Sequence, residues 1–241
     1  MSSDHRHDHV DLGPPRVEEV AAGVFAYVQP DGSWWINNTG FMVADDGVVA
    51  IDTCATERRT RAFLDALRGV SDAPIRLVVN THHHGDHTHG NYLTHPAAIV
   101  AHERCRELIL ETGILHVPGV WEDVDWGDLE VAPPVVTFDD RLTLWSGDVE
   151  VQLHYIGTPA HTTNDVVAWL PEQRVLYAGD LVFNGGTPFV LMGSLAGALA
   201  SVERLRAFDA EVIVPGHGEV CDPSALDRIE RYYRFVDGVA A

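Results

Sequence analysis

A layered α/β fold, with helices packed outside two sheets, is predicted by three features of the sequence. Short apolar runs of strand-forming residues recur from Val17 onward and are bounded by Gly, Pro, Asp or Asn. Amphipathic helical patterns lie between and after these runs. The sequence also lacks the Gly-x-Gly-x-x-Gly turn and the Walker loop of doubly wound nucleotide-binding folds. The order of the segments therefore favours two layers of strands covered by helices.

Nine segments carry the pattern of strands. They begin with closely spaced strands, continue with strands and helices mixed, and end with a second set of strands followed by helices. The predicted strands are 24–28, 40–44, 47–51, 76–80, 97–101, 148–156, 165–170, 174–178 and 211–215.

Three segments carry the periodicity of helices. Residues 57–70 place Phe63, Leu67 and Val70 on one face. Residues 194–207 begin with a serine that can cap the helix, and a third helix begins at Pro223-Ser224. Residues 112–134 have little periodicity and are rich in Gly, Pro, Trp and acidic residues, which predicts a long surface loop.

Length and composition predict one domain. Of the 241 residues, 46% are hydrophobic, which is enough to build one sizeable core. Residues 1–15 carry three histidines among polar residues, Gly and Pro without an apolar period, which predicts a disordered tail; adventitious metal binding there is the alternative. The domain is therefore expected to span residues 16–241.

The charge balance bears on partners and location. The chain has 16 Lys and Arg against 36 Asp and Glu, a net charge of −20, so a broad cationic surface for nucleic acid or anionic lipid is missing. There is no apolar stretch of about 20 residues and no secretory-signal pattern. These features predict a cytoplasmic protein that binds neither nucleic acid nor membrane. Reduced thiols are expected at Cys54, Cys105 and Cys221.

The segment NTHHHGDHTHGN, residues 80–91, holds five histidines and one aspartate. It follows a buried-type strand, so we expect it to emerge at the edge of a sheet. In an extended segment, side chains two positions apart share a face. His82 and His84 can therefore bind one metal ion while His83 points away.

A second ion can be bound just beyond the turn at Gly85. There, Asp86 and His87 offer an oxygen and a nitrogen. The remaining histidines of the segment, His83 and His89, are interpreted as bystanders or as hydrogen-bond partners of the ligands.

Further ligands are expected downstream, because a catalytic zinc ion normally has three protein ligands and one open position. His161, Asp180 and His217 are the candidates, each predicted at a strand end and at a turn marked by glycine. The prediction is two trios with Asp180 as the bridge between them: His82, His84 and His161, and Asp86, His87 and His217.

The motifs THHHGDH, GTPAHT, AGD and PGHG, in this order, resemble those of the metallo-β-lactamase superfamily. The resemblance covers the chain from about Val17 onward. It implies an αββα sandwich, that is, two mixed sheets flanked by helices, with a dinuclear metal site at one edge and the ligands named above. Asp180 stands where one subgroup of true lactamases has cysteine, so the chain is more similar to the glyoxalase II, lactonase and thioesterase branches.

The chemistry expected of such a site is metal-dependent hydrolysis. Two ions about 3.5–4 Å apart can share a hydroxide that attacks a carbonyl group, while one ion stabilises the oxyanion. Asp86 is expected to orient this nucleophile as well as bind metal. Two zinc ions are the predicted cofactors, and the nitrogen and oxygen ligands also suit iron or manganese.

Aromatic and apolar residues are the candidates for substrate binding. Trp34 and Trp35 lie in the loop between the first two predicted strands, which in the resembling family folds over the metal site; the alternative is that either packs into the core. Phe183, Asn184 and Met192 lie in the segment after the bridging aspartate. Asn184 can donate to an oxyanion, although Asn-Gly-Gly is also a plain turn, which we favour slightly.

The function predicted from these features is metal-dependent hydrolysis of a small ester, thioester or lactone. The segment 181–200 has neither Lys nor Arg, which disfavours a β-lactam because true lactamases grip its carboxylate with a basic residue there. One alternative is a cyclase or thioesterase of an aromatic polyketide pathway, which several segments also resemble. Others are a mono-iron persulfide dioxygenase and, least favoured, a non-catalytic binding protein. The substrate is expected to be small and apolar or aromatic.

Overall fold

The structure is a computed structural model that describes residues 14–30, 35–115, 124–157, 159–190 and 192–240. Apart from its last two positions, the predicted tail at residues 1–15 lies outside these ranges. Within them, the strands are β1 (Arg16–Ala21), β2 (Val24–Val28), β3 (Thr39–Ala44), β4 (Gly47–Ile51), β5 (Ile75–Val79), β6 (Ala98–His102), β7 (Val136–Phe138), β8 (Arg141–Ser146), β9 (Val149–Tyr155), β10 (Val166–Leu170), β11 (Val175–Asn184) and β12 (Val212–Gly218). The helices are α1 (Glu57–Arg68), α2 (Gly85–Thr88), α3 (Glu103–Thr112), α4 (Leu195–Arg206) and α5 (Ser224–Ala240).

The strands form two mixed sheets. The first has the order β1-β2-β3-β4-β5-β6-β7, antiparallel up to β4 and parallel from β4 to β7. The second has the order β12-β11-β10-β9-β8, in which only β11 and β12 run parallel. The αββα sandwich implied by the sequence motifs is therefore confirmed.

The main apolar core lies between the two sheets. Val28, Met42 and Val79 of the first sheet pack with Leu153 and Leu170 of the second. Each fully buried aliphatic side chain of this kind stabilises the fold by about 1.5–3 kcal/mol relative to an exposed one. The two sheets therefore share one hydrophobic core.

The helices cover the outer faces of the sandwich. α1 packs Phe63, Leu64 and Leu67 against the first sheet, while α4 and α5 form a separate apolar cluster on the second. Ser194 caps α4 as predicted, since its hydroxyl accepts a hydrogen bond from the amide of Gly197. Val70, predicted on the buried face of the first helix, is 43% exposed because α1 ends at Arg68.

The elements missed from the sequence are mainly those at the sheet edges. β1, β7 and β8 are edge or near-edge strands, and much of their surface is exposed. β1 and β8 mix polar and apolar residues without a continuous apolar run, and β7 is only three residues long. α3 was missed as well; it begins after His102, whose imidazole accepts from the amide of Arg104.

Candidate metal centre

The first ligand group forms where the loop after β5 meets the second sheet. The Nδ1 atom of His84 lies 2.9 Å from Nε2 of His161, and that nitrogen lies 3.2 Å from Oδ2 of Asp180. Nε2 of His82 lies 3.9 Å from the same carboxylate oxygen. The potential ligand atoms of these four residues all lie within 4.8 Å of one another, an arrangement suited to a metal ion.

The second group shares Asp180 with the first. Nε2 of His87 lies 3.0 Å from Oδ1 of Asp180, and Nε2 of His217 lies 3.3 Å from Oδ2. Oδ2 of Asp86 is 3.3 Å from that His217 nitrogen and 3.5 Å from the His87 nitrogen. Both predicted trios therefore converge, and Asp180 lies between them, as expected of a dinuclear site.

Asp180 and His217 both belong to strands; the predicted position at a strand end was wrong for Asp180 and agrees with the position of His217. Asp180 is in the middle of the ten-residue strand β11, and His217 is the penultimate residue of β12. The pairing of β11 with β12 changes register between Tyr177 and Gly179 and again before Phe183. Irregular register of this kind turns side chains out of the regular alternation, so strand residues can point into a site.

The outer nitrogens of four imidazoles have oxygen partners that fix the ring orientation. Nδ1 of His161 lies 2.5 Å from the carbonyl oxygen of Phe189, and Nδ1 of His217 lies 3.1 Å from that of Ile36. Since a carbonyl oxygen only accepts, both rings carry their proton on Nδ1. In the neutral form of each ring, Nε2 then has a free lone pair that faces the other ligands, as metal binding requires.

Asp52 fixes the other two rings and was missed in the sequence analysis. Its carboxylate accepts from Nδ1 of His87 at 2.8 Å, and from the amide at 2.8 Å and hydroxyl at 2.7 Å of Thr81. The same hydroxyl oxygen lies 3.1 Å from Nδ1 of His82. One buried carboxylate thus orients a ligand of each group. Its position directly after buried β4, at the same edge as the histidine-rich loop, was the signal that could have identified it.

The site contains buried polar atoms that only a further group can satisfy. Nε2 of His82, Nε2 of His87 and Oδ1 of Asp180 are buried and make no hydrogen bond of good geometry within the described residues, although the last two atoms lie 3.0 Å apart. Such atoms are rare in native proteins because each costs free energy when left unpaired. All three belong to the two ligand groups, so the residues present fit a pair of divalent cations.

The charges within the site are strongly coupled. Burial lowers the pKa of His82 and His84 well below the ordinary value, and neighbouring imidazoles add to this. For His217, burial opposes protonation, but the carboxylates of Asp180 and Asp86 outweigh it and raise the pKa to about 9. The same carboxylates, with Asp52, raise the pKa of His87. The second group therefore attracts positive charge, and metal binding there would release protons.

Comparison with known proteins agrees with this geometry. Residues 32–217 match the family described as the metallo-beta-lactamase superfamily. The chain belongs to that superfamily. The linear primary-alkylsulfatase of a Pseudomonas species is 27% identical over 82% of this chain and 44% of its own length. The hydroxyacylglutathione hydrolase of Rhodospirillum rubrum is 32% identical over 58% of this chain and 46% of its own length. The chain thus spans about half the length of these curated relatives.

Solved structures of the superfamily share the fold. The metallo-beta-lactamase from Pontibacter korlensis superposes with a TM-score of 0.77 at 22% identity, over 91% of this chain and 99% of that one. The predicted family, fold and assignment to a family of enzymes are confirmed. Among the described residues, no helix has the length and apolar character needed to cross a membrane.

The ligand groups of this superfamily member open into a cavity of about 340 Å³. Its apolar lining includes Trp35, Leu115, Phe183, Phe189 and Met192. The ring of Phe183 stacks on that of His217, with centroids 4.9 Å apart and planes at 2°. Trp35 packs against the rings of His89 and Trp126, 5.5 and 5.6 Å away. The predicted Trp35, Phe183 and Met192 therefore line the cavity.

The other two predicted substrate residues have different outcomes. Trp34 lies outside the described residues. Asn184 is not part of the lining of this cavity: its amide nitrogen donates to the carbonyl of Glu219 at 2.8 Å, and its oxygen accepts from Arg228 at 3.1 Å. The side chain ties the end of β11 to α5, so its contacts do not support the less favoured alternative of an oxyanion donor. The favoured interpretation as a turn agrees with this position.

Met192 contacts the outer nitrogen of His84, the fifth histidine of the two ligand groups. Its Sδ atom lies 3.1 Å from Nε2 of His84 at the cavity rim, and the side chain is 47% exposed. Met192→Leu keeps the apolar wall but removes the sulfur acceptor, which water can replace at this exposed position. We expect metal affinity to fall by about threefold, the effect of one weak hydrogen bond, as measured by competition with a chelator. A loss of affinity above about thirtyfold would mean that the sulfur does more than accept this bond.

Proposed function

We propose that the protein is a metal-dependent hydrolase that cleaves a small apolar or aromatic ester, thioester or lactone. The observation that carries this proposal is the shared carboxylate of Asp180, which lies between two ligand groups at the floor of an apolar cavity. Two groups that share one ligand suit a pair of ions better than a single one. The chemistry of the neighbouring wall then selects the substrate.

The proposed ligands are His82, His84 and His161 for one ion and Asp86, His87 and His217 for the other, with Asp180 shared. When bound, two divalent ions supply Lewis acidity and lower the pKa of water toward about 7. Asp86 lines the cavity and would accept a hydrogen bond from the attacking water, so that its oxygen faces the substrate carbonyl. Water adds to the carbonyl carbon, the bond to the leaving oxygen or sulfur breaks, and that atom takes up the proton.

The cavity wall supports an uncharged substrate. No Lys or Arg is found among the described residues that line it. The glutathione moiety named in one relative and the sulfate named in another are anionic, and neither would find a cation on this wall. Aromatic and thioether side chains instead favour a planar or apolar acyl group.

Metal content and hydrolysis measured together test this proposal. The purified protein should bind about two zinc, iron or manganese ions per chain and hydrolyse at least one member of a panel of aryl esters, aryl thioesters and aromatic lactones. His84→Ala should lose metal and activity together, whereas His154→Ala, in β9 of the second sheet, should lose neither. Two bound ions without turnover of any panel member would contradict the proposed function.

Two alternatives are distinguished by the same measurements. A polyketide cyclase would use the same apolar cavity but convert poly-β-keto thioesters into cyclic products, which mass spectrometry separates from hydrolysed acids. A mono-iron dioxygenase would contain one iron per chain and would leave the second ligand group, of which every member is buried, without a role. The complete second group is the reason that we favour two ions.

Trp35 provides a test of the cavity as a substrate site. Trp35→Ala is expected to raise KM about tenfold for aromatic substrates with little change in kcat, because stacking area is lost while the ligand groups remain intact. Trp145→Ala is the matched control, since this tryptophan is 58% exposed on β8. An unchanged KM with every good substrate would exclude the proposed stacking role.

A further inference from the structure

Two histidines line the cavity without belonging to either ligand group, namely His83 and His89. His83 is 6% exposed, and its Nδ1 atom lies 3.0 Å from the amide nitrogen of Asn164. An amide nitrogen donates and does not accept, so Nδ1 of His83 is the acceptor. A neutral imidazole that accepts at Nδ1 carries its proton on Nε2.

Asn164 contacts the Nδ1 edge of this ring and lies on a loop that is held by several internal hydrogen bonds. It is fully buried, and its backbone amide donates to the hydroxyl of Thr162 at 3.1 Å. Asp165 closes the same loop by accepting from the amides of His161 and Thr162 at 2.9–3.0 Å. The orientation of His83 is therefore fixed by the loop that also carries a ligand of the first group.

The Nε2 edge of His83 is the edge that is available to a ligand in the cavity. Its Nδ1 edge is occupied by Asn164, and among the described residues no hydrogen bond is found for Nε2 of this ring, which lines the cavity. His89 differs, because its Nδ1 donates to the carbonyl of Ala55 at 3.3 Å and its Nε2 packs against Gly85, where an added Cβ would lie 2.3 Å away. Of these two rings, only His83 therefore offers an N–H group to a ligand.

The position of this donor defines what it can recognise. The ring centroid of His83 lies 4.7 Å from that of His84, so the His83 ring lies directly beside the first ligand group. The surrounding wall is apolar. A charged acceptor would lose its hydration in such a wall at a cost that one neutral donor cannot offset. The N–H group therefore favours an uncharged oxygen as its acceptor.

We propose that His83 donates a hydrogen bond from Nε2 to a second carbonyl oxygen of the substrate, near the carbonyl that is cleaved. The substrate class is then a 3-oxoacyl ester or thioester with an apolar or aromatic end. This inference rests on the proposed function, because the cleaved carbonyl is positioned by the ligand groups. His83 is thereby a substrate-binding residue that sets specificity.

Two substitutions at His83 separate the two edges of the ring. His83→Asn keeps an amide close to the position of Nδ1, where it can pair with Asn164, and removes the cavity donor. His83→Gln extends an amide nitrogen toward the position of Nε2 and so keeps a donor in the cavity. His154→Asn, in β9 of the second sheet, is the matched control. The probes are the N-acetylcysteamine thioesters of 3-oxo-3-phenylpropanoate and of 3-phenylpropanoate, which differ only in the second carbonyl oxygen.

The expected readout is the ratio of kcat/KM for the two thioesters. The wild type and His154→Asn should prefer the 3-oxo thioester by about tenfold, the effect of one good hydrogen bond. His83→Asn should lower that ratio to near one with unchanged metal content, and His83→Gln should restore part of it. An unchanged ratio in His83→Asn overturns the inference.

Binding of the corresponding amides separates this inference from the proposed function. The amides resist hydrolysis, and tryptophan fluorescence reports their binding to the metal-loaded protein. A preference for the 3-oxo amide that is lost in His83→Asn supports the inference even if neither thioester is hydrolysed, in which case the proposed function alone fails. Equal binding of the two amides by the wild type overturns the inference.

Discussion

Asp180→Ala is expected to leave at most one metal ion per chain and to lower kcat/KM by at least a hundredfold. Asp180 is the single residue common to both ligand groups, and its two oxygens lie 3.0–3.3 Å from three different imidazoles. Loss of a residue that merely orients a ligand already costs about 10–100-fold in affinity or activity, so loss of a shared ligand should cost more. Elemental analysis together with steady-state kinetics on the best substrate provides the measurement.

A matched surface variant controls for the change of charge. Asp140→Ala removes a carboxylate with a 77% exposed side chain and should retain both ions and full activity. If Asp180→Ala keeps two ions with unchanged affinity, the shared position of this carboxylate has no role in metal binding, and the proposed centre would have to be abandoned.

Asp52→Asn is expected to lower metal affinity by about 10–100-fold and the free energy of unfolding by about 2–4 kcal/mol. Three donors point at the two carboxylate oxygens, namely the amide and hydroxyl of Thr81 and Nδ1 of His87. An asparagine amide has only one acceptor atom, so one or more of these donors would face an N–H group. The ring of His87 would then lose its orientation or its tautomer.

Chelator competition and chemical denaturation measure these two effects. Asp65→Asn is the control, because this residue lies on the exposed face of α1 with a 75% exposed side chain. Full retention of both metal affinity and stability in Asp52→Asn would show that the hydrogen bonds of Asp52 are dispensable.

The ligands could be predicted from the sequence because their chemistry is local. Histidines and an aspartate crowded between residues 82 and 87 have little packing value. Each further ligand lies near a glycine-marked turn after an apolar run. What could not be predicted was how the ligands reach the site. Asp180 and His217 project from within paired strands because β11 and β12 change register, and register depends on the partner strand rather than on either segment alone.

The roles of residues whose contacts lie far away along the chain could not be predicted either. Asn184 follows β-type residues and precedes two glycines, but its contact with Arg228 of α5 directs it away from the cavity. Asp52 stands directly after β4, but its own segment does not show which residues it contacts, and its φ of 60° shows that the fold holds it in an uncommon backbone conformation. Its contacts with Thr81 and His87 are 29 and 35 residues away along the chain.

The ligand groups draw on both sheets, since His82 to His87 follow β5 while Asp180 and His217 belong to β11 and β12. Cations bound there would link the two sheets. They would also stabilise the folded state, because these ligands are not brought together in the unfolded chain. Free ion at a hundred times its dissociation constant would contribute about 2.7 kcal/mol to folding. Resistance to heat should therefore depend on cation supply, and storage with a strong chelator should make the protein easier to melt and to digest.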